Sequence, residues 1–270
     1  MFAKRAAVRN ARTAVTTTAK NLKPAPPLGD PRRWALFLDV DGTLLGFRDD
    51  PSAVASSAEL NALLSRLAER LGGALALISG RPVHDIDRVF SPLVLPAAGA
   101  HGLELRRHPG DPVEYREGAQ LPDETMDRLQ TFVAGRPGVL LEHKPQGVAL
   151  HYRRAPVAGP AVVETMRAIG EDLGPGFRLM EGKMVCELMP AGRSKGKAIE
   201  DFMTVEPFAG RLPVFVGDDI TDEAGFSVVN ELGGHSIHVR ESARQTGTLA
   251  RWSLPDIEAV YAWLAALADS

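Results

Sequence analysis

The 270-residue chain is predicted to be an α/β protein with a parallel sheet and an inserted α+β unit. Apolar runs of strand length alternate with helical patterns near both ends of the chain, as expected for a parallel sheet covered by helices. Between residues 105 and 190, short alternating segments come in pairs separated by turns, which is typical of antiparallel hairpins. These observations predict a discontinuous core, residues 30–104 and 191–270, with a smaller domain at 105–190.

The elements of the first core segment follow from the spacing of apolar residues. The run ALFLDV at 35–40 is continuous and ends in an acidic turn, which indicates a buried parallel strand. Leucines recur on one helical face over 56–71. ALALIS at 74–79 predicts the next strand, and Pro82 suits the first turn of the following helix. LVLPAAGA, near 93–100, predicts a third strand.

The same alternation returns after the insert. It predicts a helix at about 194–203, the strand LPVFVGD, a helix after Thr221, the strand SIHV and a last helix from about Pro255. Within the insert, the predicted hairpin pairs are GLELRR with VEYRE, LLEHK with VALHYR, and FRLMEG with MVCELM. Helix-like segments near 122–134 and 159–173 separate these pairs.

The composition, 44% apolar and 24% charged, is ordinary for a globular protein. A net charge of -3 argues against nucleic-acid binding, and no apolar run reaches the roughly 18 residues that span a bilayer. The single cysteine, Cys186, excludes an internal disulfide and a cysteine-based zinc site. We therefore expect a cytoplasmic protein without nucleic-acid or membrane partners. We also expect a monomer.

Residues 1–29 differ in composition from the rest of the chain. They carry six basic residues, no acidic residue and a TTT tract. This pattern occurs both in organelle transit peptides and in disordered basic extensions, but the apolar core of a secretory signal is missing. We favour a disordered extension outside the folded core.

The segment LFLDVDGTLL places Asp39 and Asp41 just beyond the first predicted strand. In open parallel sheets, ligands bind outside the carboxyl ends of the strands. Two crowded carboxylates repel each other and need a cation or a shared proton, and an oxygen-rich site suits magnesium. The pattern DxDG also resembles a fragment of a calcium loop, but here apolar residues occupy the later positions of that loop. The acidic turn is therefore predicted to have a catalytic or metal-binding role, and not only to reverse the chain.

Three further segments carry groups that a phosphate site requires. Ser79-Gly80-Arg81 follows the second strand and offers a hydroxyl and N–H groups to phosphate oxygens. Lys195 opens a helix, from which it could reach a transferring phosphoryl group. GDDITDE at 217–223 supplies four acids at the same sheet edge as Asp39. Taken singly, these segments also fit a strand-to-helix turn, an exposed lysine and a helix cap.

Together the four segments resemble the ordered motifs of the haloacid dehalogenase superfamily. The resemblance implies a Rossmann-like haloacid dehalogenase core with a parallel sheet and an inserted α+β cap domain. It also implies that Asp39 is the nucleophile, that Asp41 is the general acid and base, and that Ser79 and Lys195 hold the phosphoryl group. The implied magnesium ligands are the Asp39 carboxylate, the Asp41 backbone carbonyl and Asp218, with Asp219 in support.

A narrower resemblance, over about residues 34–265, is to the trehalose-6-phosphate phosphatases. Besides LDVDGTL and SGRP, it is carried by GAHGLE at 99–104, EHKPQGVALHYR at 142–153 and GDDITDE. It implies magnesium-dependent hydrolysis of trehalose 6-phosphate to trehalose and phosphate through an aspartyl phosphate.

Polar side chains of the insert are predicted to share faces of its strands. Alternation pairs Glu142 with Lys144, and His151 with Arg153. Such a face has the donors and acceptors that sugar hydroxyls need, but it also fits a solvated sheet face. The family resemblance favours the first interpretation and implies that the insert is a cap that closes on a bound disaccharide. His101 fits either the cleft or a plain turn. The full set of predicted substrate-binding residues is Gly42, Gly80, Arg81, His101, Glu142, Lys144, His151, Arg153, Lys183 and Glu187.

Three other functions stay open at this point. Another capped sugar phosphatase, acting on sucrose phosphate or a mannosyl phosphoester, would use the same motifs. A non-catalytic sugar-phosphate sensor is disfavoured, because a sensor could lose the nucleophile whereas Asp39 and Asp41 are both present. A phosphotransferase or mutase would pass the phosphoryl group to a sugar instead of water.

Overall fold

The fold is taken from a computed structural model, which describes residues 22–46, 54–116, 120–144, 147–182, 184–240 and 247–270. Its strands are β1 (Lys23–Pro24), β2 (Trp34–Leu38), β3 (Leu75–Ile78), β4 (Ala97–Gly99), β5 (Glu104–Arg106), β6 (Glu114–Tyr115), β7 (Leu140–Lys144), β8 (Gly147–His151), β9 (Phe177–Gly182), β10 (Val185–Pro190), β11 (Leu212–Gly217), β12 (His235–Val239) and β13 (Trp252–Leu254). Its helices are α1 (Ala58–Arg70), α2 (Val83–Phe90), α3 (Asp123–Ala134), α4 (Gly159–Leu173), α5 (Lys195–Phe202), α6 (Glu223–Glu231) and α7 (Ile257–Asp269).

Within those residues the core sheet has the order β1-β13-β12-β11-β2-β3-β4-β5-β6. The strands from β1 to β4 in this order pair in parallel, and β5 and β6 are antiparallel. Every residue of β2 is buried, because helices cover both faces of the sheet. The predicted α/β class with a largely parallel sheet is confirmed.

Alternation along β2 decides which side chains reach which face of the sheet. Leu36 and Leu38 pack in the cluster that contains residues of α1, α2 and α7. Ala35 and Phe37 pack in the other cluster, with residues of α5 and α6. Asp39 follows on the same side as Phe37, so the first acidic residue emerges towards α5.

The insert forms a separate antiparallel sheet with the order β7-β8-β10-β9. One face of this sheet is apolar and packs on α3 and α4, with Val148, Leu150 and Cys186 buried against Leu129 and Met166. The predicted α+β character of the insert is thereby confirmed. The opposite face carries polar residues, as expected from strict alternation in a sheet buried on one side.

The predicted boundary of the insert at residue 105 is wrong for one hairpin. β5 and β6 extend the core sheet, since Ala97 of β4 pairs with Arg106 of β5. Leu105 is buried in the core cluster on the α5 side, and Arg106 bonds to Asp87 of α2 at 2.6 and 2.7 Å. Alternation identifies a hairpin but not the sheet it joins. We propose instead that the cap begins after β6.

Residues 1–29 were expected to be disordered, but the end of this segment, from residue 22, is ordered. Lys23 and Pro24 form β1, which pairs in parallel with β13 at the edge of the core sheet. The Lys23 ammonium lies 5.4 Å from the centre of the Trp252 ring, within the range of a cation–π contact. Residues 1–21 lie outside the described residues. None of the helices in the described ranges combines the length and apolar composition that a membrane span requires.

Candidate active site

A buried lysine joins two carboxylates at the carboxyl edge of the core sheet. Lys195 is the first residue of α5, and its Nζ donates to Asp39 Oδ1 at 2.6 Å and to Asp222 Oδ1 at 2.7 Å. Each of the three residues is at most 3% exposed. The predicted approach of Lys195 to Asp39 is therefore present in the structure.

The three charges do not balance within this cluster. Burial raises the pKa of Asp39 well above its usual value, and Asp222 and Asp218 add to the rise against the opposing effect of Lys195. Burial alone would lower the pKa of Lys195, but Asp222 and Asp39 outweigh it and raise that pKa. Lys195 is therefore charged, and the surrounding carboxylates outnumber it. A divalent cation would supply the missing positive charge.

The same edge of the sheet has an oxygen donor set that fits magnesium. One carboxylate oxygen from each of Asp39, Asp218 and Asp222 lies within 4.8 Å of the others. The Thr43 hydroxyl lies 3.4 Å from Asp39 Oδ2 and 3.5 Å from Asp218 Oδ1. Hard oxygen ligands of this kind are those that magnesium prefers, so the residues present fit the ion that the motifs imply.

Asp222 is already engaged by protein donors. Its Oδ1 accepts from Lys195, and its Oδ2 accepts from the N–H groups of Asp218 and Asp219, both at 2.9 Å. Asp39 and Asp218, the carboxylates that the motif resemblance implies as metal ligands, lie beside it in the same cluster. Asp222 fixes the lysine and the turn after β11.

Asp219, which was predicted to support the metal, is not part of this acidic cluster. Its Oδ1 accepts from the N–H of Ile220 at 2.6 Å, as a helix cap. Asp222 takes its place because one helical turn carries it back over the strand end. Sequence reasoning counted Asp222 among the four acids of GDDITDE but did not assign it a role; its spacing of four residues from Asp218 is the signal that was available.

Gly42 makes room for the acidic cluster. Its φ is +87°, and a Cβ added there would lie 2.2 Å from Asp218 Oδ2. A side chain at this position would therefore collide with a candidate metal ligand, and the backbone conformation itself favours glycine. The Gly42 N–H donates to the Leu45 carbonyl at 2.7 Å. In this conformation Gly42 contributes space, and its N–H is engaged within the loop.

The second acid of the turn pairs with a different cation. Arg81 binds Asp41 through two parallel hydrogen bonds of 2.7 Å, from Nε and Nη2, and its Nη1 donates to Asp85 at 2.6 Å. The carboxylates of Asp39 and Asp41 are therefore held by separate cations, Lys195 and Arg81. Arg81, predicted to contact the substrate, binds carboxylates in this structure.

Two side-chain oxygens accept hydrogen bonds from backbone N–H groups in the turn after β3. Ser79 is 1% exposed, and its Oγ accepts from the Arg81 N–H at 3.1 Å. Glu104 Oε2 accepts from the N–H of Val83, at the start of α2, at 2.6 Å. In the sequence, Glu104 is only the last residue of the motif GAHGLE. Its burial beside the start of α2 could not be predicted, because the pattern of a short hairpin does not show what the hairpin packs against.

The polar face of the cap sheet carries two glutamates on either side of a small residue. Ala149 of β8 pairs with Glu142 of β7 on one side and with Glu187 of β10 on the other. Lys144 Nζ donates to Glu187 Oε1 at 2.7 Å, and His151 Nε2 lies 2.6 Å from Glu142 Oε2. The structure therefore brings these four predicted polar residues onto one face of the cap.

The two glutamates are held as anions. The hydrogen bond from His151 lowers the pKa of Glu142. Burial works to raise the pKa of Glu187, but His101 and Lys144 outweigh it and lower that pKa to about 2. Arg153 lies two residues beyond the end of β8 and is exposed. Lys183 lies outside the described residues.

Comparisons with known proteins find similarity to trehalose phosphatases. Residues 37–258 match the model of the family described as Trehalose-phosphatase. The chain is 42% identical to a probable trehalose-phosphate phosphatase of Sinorhizobium fredii, over 87% of this chain and 88% of that protein. It is 40% identical to trehalose-6-phosphate phosphatase of Escherichia coli, over 86% and 85% of the two chains.

The solved structures show the same likeness at the level of the fold. The C-terminal domain of Candida albicans trehalose-6-phosphate phosphatase superposes with a TM-score of 0.78 at 22% identity, covering 92% of this chain and 99% of that one. A trehalose-6-phosphate phosphatase related protein superposes with a TM-score of 0.71 at 26% identity, covering 87% and 96%.

Proposed function

The chain belongs to the trehalose-phosphatase family, and we propose that it hydrolyses trehalose 6-phosphate to trehalose and phosphate at the edge of the core sheet beneath the cap. It is thus a phosphoric monoester hydrolase. The observation that carries the proposal is the buried Asp39–Lys195–Asp222 cluster beside Asp218. The polar face of the cap, with Glu142 and Glu187, supplies acceptors for sugar hydroxyls.

Asp39 is proposed to attack the phosphorus atom. Its carboxylate oxygen forms a bond to phosphorus while the bond from phosphorus to the sugar oxygen breaks, leaving an aspartyl phosphate. The Lys195 ammonium stabilises the negative charge on the transferring group. Magnesium, held by Asp39 and Asp218 with the Asp41 backbone carbonyl, would neutralise charge on the phosphoryl oxygens.

Asp41 is proposed to move the protons in both half-reactions. It gives a proton to the departing sugar oxygen and later removes one from the water that attacks the aspartyl phosphate. In this structure both carboxyl oxygens of Asp41 accept hydrogen bonds from Arg81. We infer that Arg81 turns towards the phosphate of the substrate on binding, which frees Asp41 to carry a proton and gives Arg81 the substrate contact that the sequence predicts.

Replacing Asp41 by asparagine should slow the reaction by roughly a hundredfold or more, because the leaving oxygen loses its proton donor. Magnesium affinity should change little, since the ion would contact only the backbone at this residue. Single-turnover release of trehalose and a magnesium titration measure the two effects. Asp85→Asn is the matched control, because it also removes a carboxylate partner of Arg81. A single-turnover rate for Asp41→Asn equal to that of wild type would contradict the acid role.

A substrate panel tests the proposed function. Phosphate release is measured from trehalose 6-phosphate, sucrose 6-phosphate and glucose 6-phosphate, with magnesium and with a chelator. We expect the highest kcat/KM for trehalose 6-phosphate and loss of turnover on chelation. A preference for sucrose 6-phosphate would favour another capped sugar phosphatase. Tight binding of trehalose 6-phosphate without turnover would favour a sensor. Magnesium dependence, a cytoplasmic location and a monomeric state remain our predictions.

A further inference from the structure

A left-handed turn after β4 lies between the core and the cap. Ala100, His101 and Gly102 have φ values of 47°, 54° and 93° in succession. Residues other than glycine rarely adopt this conformation, so two of them in a row need contacts on several sides to hold them in place. The mechanism above assigns no role to this turn.

The backbone of the turn is bonded to the phosphate-site turn at 79–81. The Ala100 N–H donates to the Arg81 carbonyl at 2.9 Å, and the His101 N–H donates to the Ser79 carbonyl at 3.1 Å. The imidazole lies against Gly80, where an added Cβ would be 2.7 Å from Nε2. A displacement of His101 would therefore displace the turn that carries Ser79.

The same turn contacts the cap through apolar side chains. Ala100 and Leu103 pack against Met189 of β10, and Met180 of β9 packs against this small cluster. The turn is thus the core side of a direct contact between core and cap. Its position is sensitive to the position of the cap sheet, because packed side chains leave little space for independent motion.

His101 also faces the sugar side of the cap. Its Nε2 lies 3.7 Å from Glu187 Oε2, and the two side chains are 9% and 14% exposed. That distance is too long for a hydrogen bond. Oε1 of Glu187 accepts from Lys144, whereas no donor in the described part of the chain bonds Oε2. Burial lowers the pKa of His101, so its ring is neutral at neutral pH and carries one N–H.

We propose that His101 is a positioning residue that makes the site specific for a phosphorylated disaccharide. An inward movement of the cap by about 0.8 Å, from 3.7 Å to the usual 2.9 Å, would let the His101 Nε2–H donate to Glu187 Oε2. This bond fixes the Glu187 carboxylate at a set distance from the Ser79 turn. Glu187 then accepts from a hydroxyl only when the sugar spans that distance. The inference rests on the proposed function.

A pair of variants separates this role from a structural one. His101→Asn keeps a residue that tolerates the left-handed backbone but is too short to reach Glu187, and His101→Gln restores the reach and a donor. For wild type and both variants, kcat/KM is measured with trehalose 6-phosphate and with p-nitrophenyl phosphate, which has no sugar to meet the cap. The ratio of the two values is the readout.

We expect the ratio to fall about tenfold to a hundredfold in His101→Asn, as for a lost hydrogen bond to a charged group, and to recover in part in His101→Gln. Equal losses with both esters would show that His101 acts only through the phosphate turn or the fold, and would overturn the proposal. An unchanged ratio would also overturn it. If wild type prefers sucrose 6-phosphate, the proposed function fails, and that disaccharide ester replaces trehalose 6-phosphate in the ratio with the same fall expected. A preference for glucose 6-phosphate would overturn both the proposed function and this inference.

Discussion

Replacing Asp39 by asparagine is expected to leave a folded protein with almost no turnover. The amide has the shape of the carboxylate but cannot form the aspartyl phosphate, and loss of a catalytic nucleophile costs roughly 10^4-fold or more in kcat. The fold should survive, because the amide oxygen can still accept from Lys195, which now bonds Asp39 and Asp222 at 2.6 and 2.7 Å. Phosphate release with magnesium measures the effect.

The same variant should be at least as stable as wild type when magnesium is removed. Because the pKa of Asp39 is raised in the folded protein, its charge opposes folding at pH values above the ordinary range of an aspartate. Asparagine removes that cost. Thermal unfolding in a chelator checks this, with Asp127→Asn on an exposed part of α3 as the control. Normal turnover by Asp39→Asn would refute its assignment as the nucleophile.

Replacing Lys195 by methionine should damage both stability and activity. Methionine fills similar volume but leaves Asp39 and Asp222 buried with no ammonium between them. Removing one partner of a buried ion pair typically costs about 3–5 kcal/mol of unfolding free energy. Turnover should also fall, because the transferring phosphoryl group loses a charged contact.

The stability loss should depend on pH. Burial and the neighbouring aspartates raise the pKa of Asp39, so lowering the pH protonates Asp39 and relieves its repulsion with Asp222 in the variant. The gap in unfolding free energy between wild type and Lys195→Met should therefore shrink as the pH is lowered from 8 to 5. Denaturant unfolding across that range measures it.

Lys197→Met is the matched control for this experiment. Lys197 lies on the same helix, is exposed and bonds Glu200 at 2.8 Å. Surface pairs of this kind contribute about 1 kcal/mol or less. If Lys195→Met unfolded at the same denaturant concentration as Lys197→Met, or kept the turnover of wild type, the central place of Lys195 would be wrong.

The sequence predicted which residues meet at the carboxyl edge of the core sheet, but not all of the hydrogen bonds that they form there. Continuous apolar runs such as ALFLDV identified β2, and parallel strands bring their carboxyl ends together, so the approach of Asp39 to Lys195 and Asp218 was expected and is present. The roles of these residues stay predictions. The pairing of Asp41 with Arg81 was not foreseen, because alternation fixes side-chain direction only while the strand continues, and β2 ends at Leu38.

The insert shows a second limit of pattern reasoning. Alternation placed Glu142 and Lys144 on one face correctly, since the period of a strand does not depend on its partners. It could not show that Ala149 lies between Glu142 and Glu187, because that depends on the register of three strands. It also assigned Leu105 to the wrong domain, since a short hairpin can extend either sheet.

A crystal structure with magnesium and beryllofluoride, which mimics a phosphoryl group on a carboxylate, tests the account most directly. We predict beryllium bonded to an Asp39 oxygen, magnesium bound by Asp39 and Asp218, and the fluorides contacted by Ser79 and Lys195. Beryllofluoride bound away from Asp39, or magnesium held without Asp39 and Asp218, would contradict the covalent mechanism.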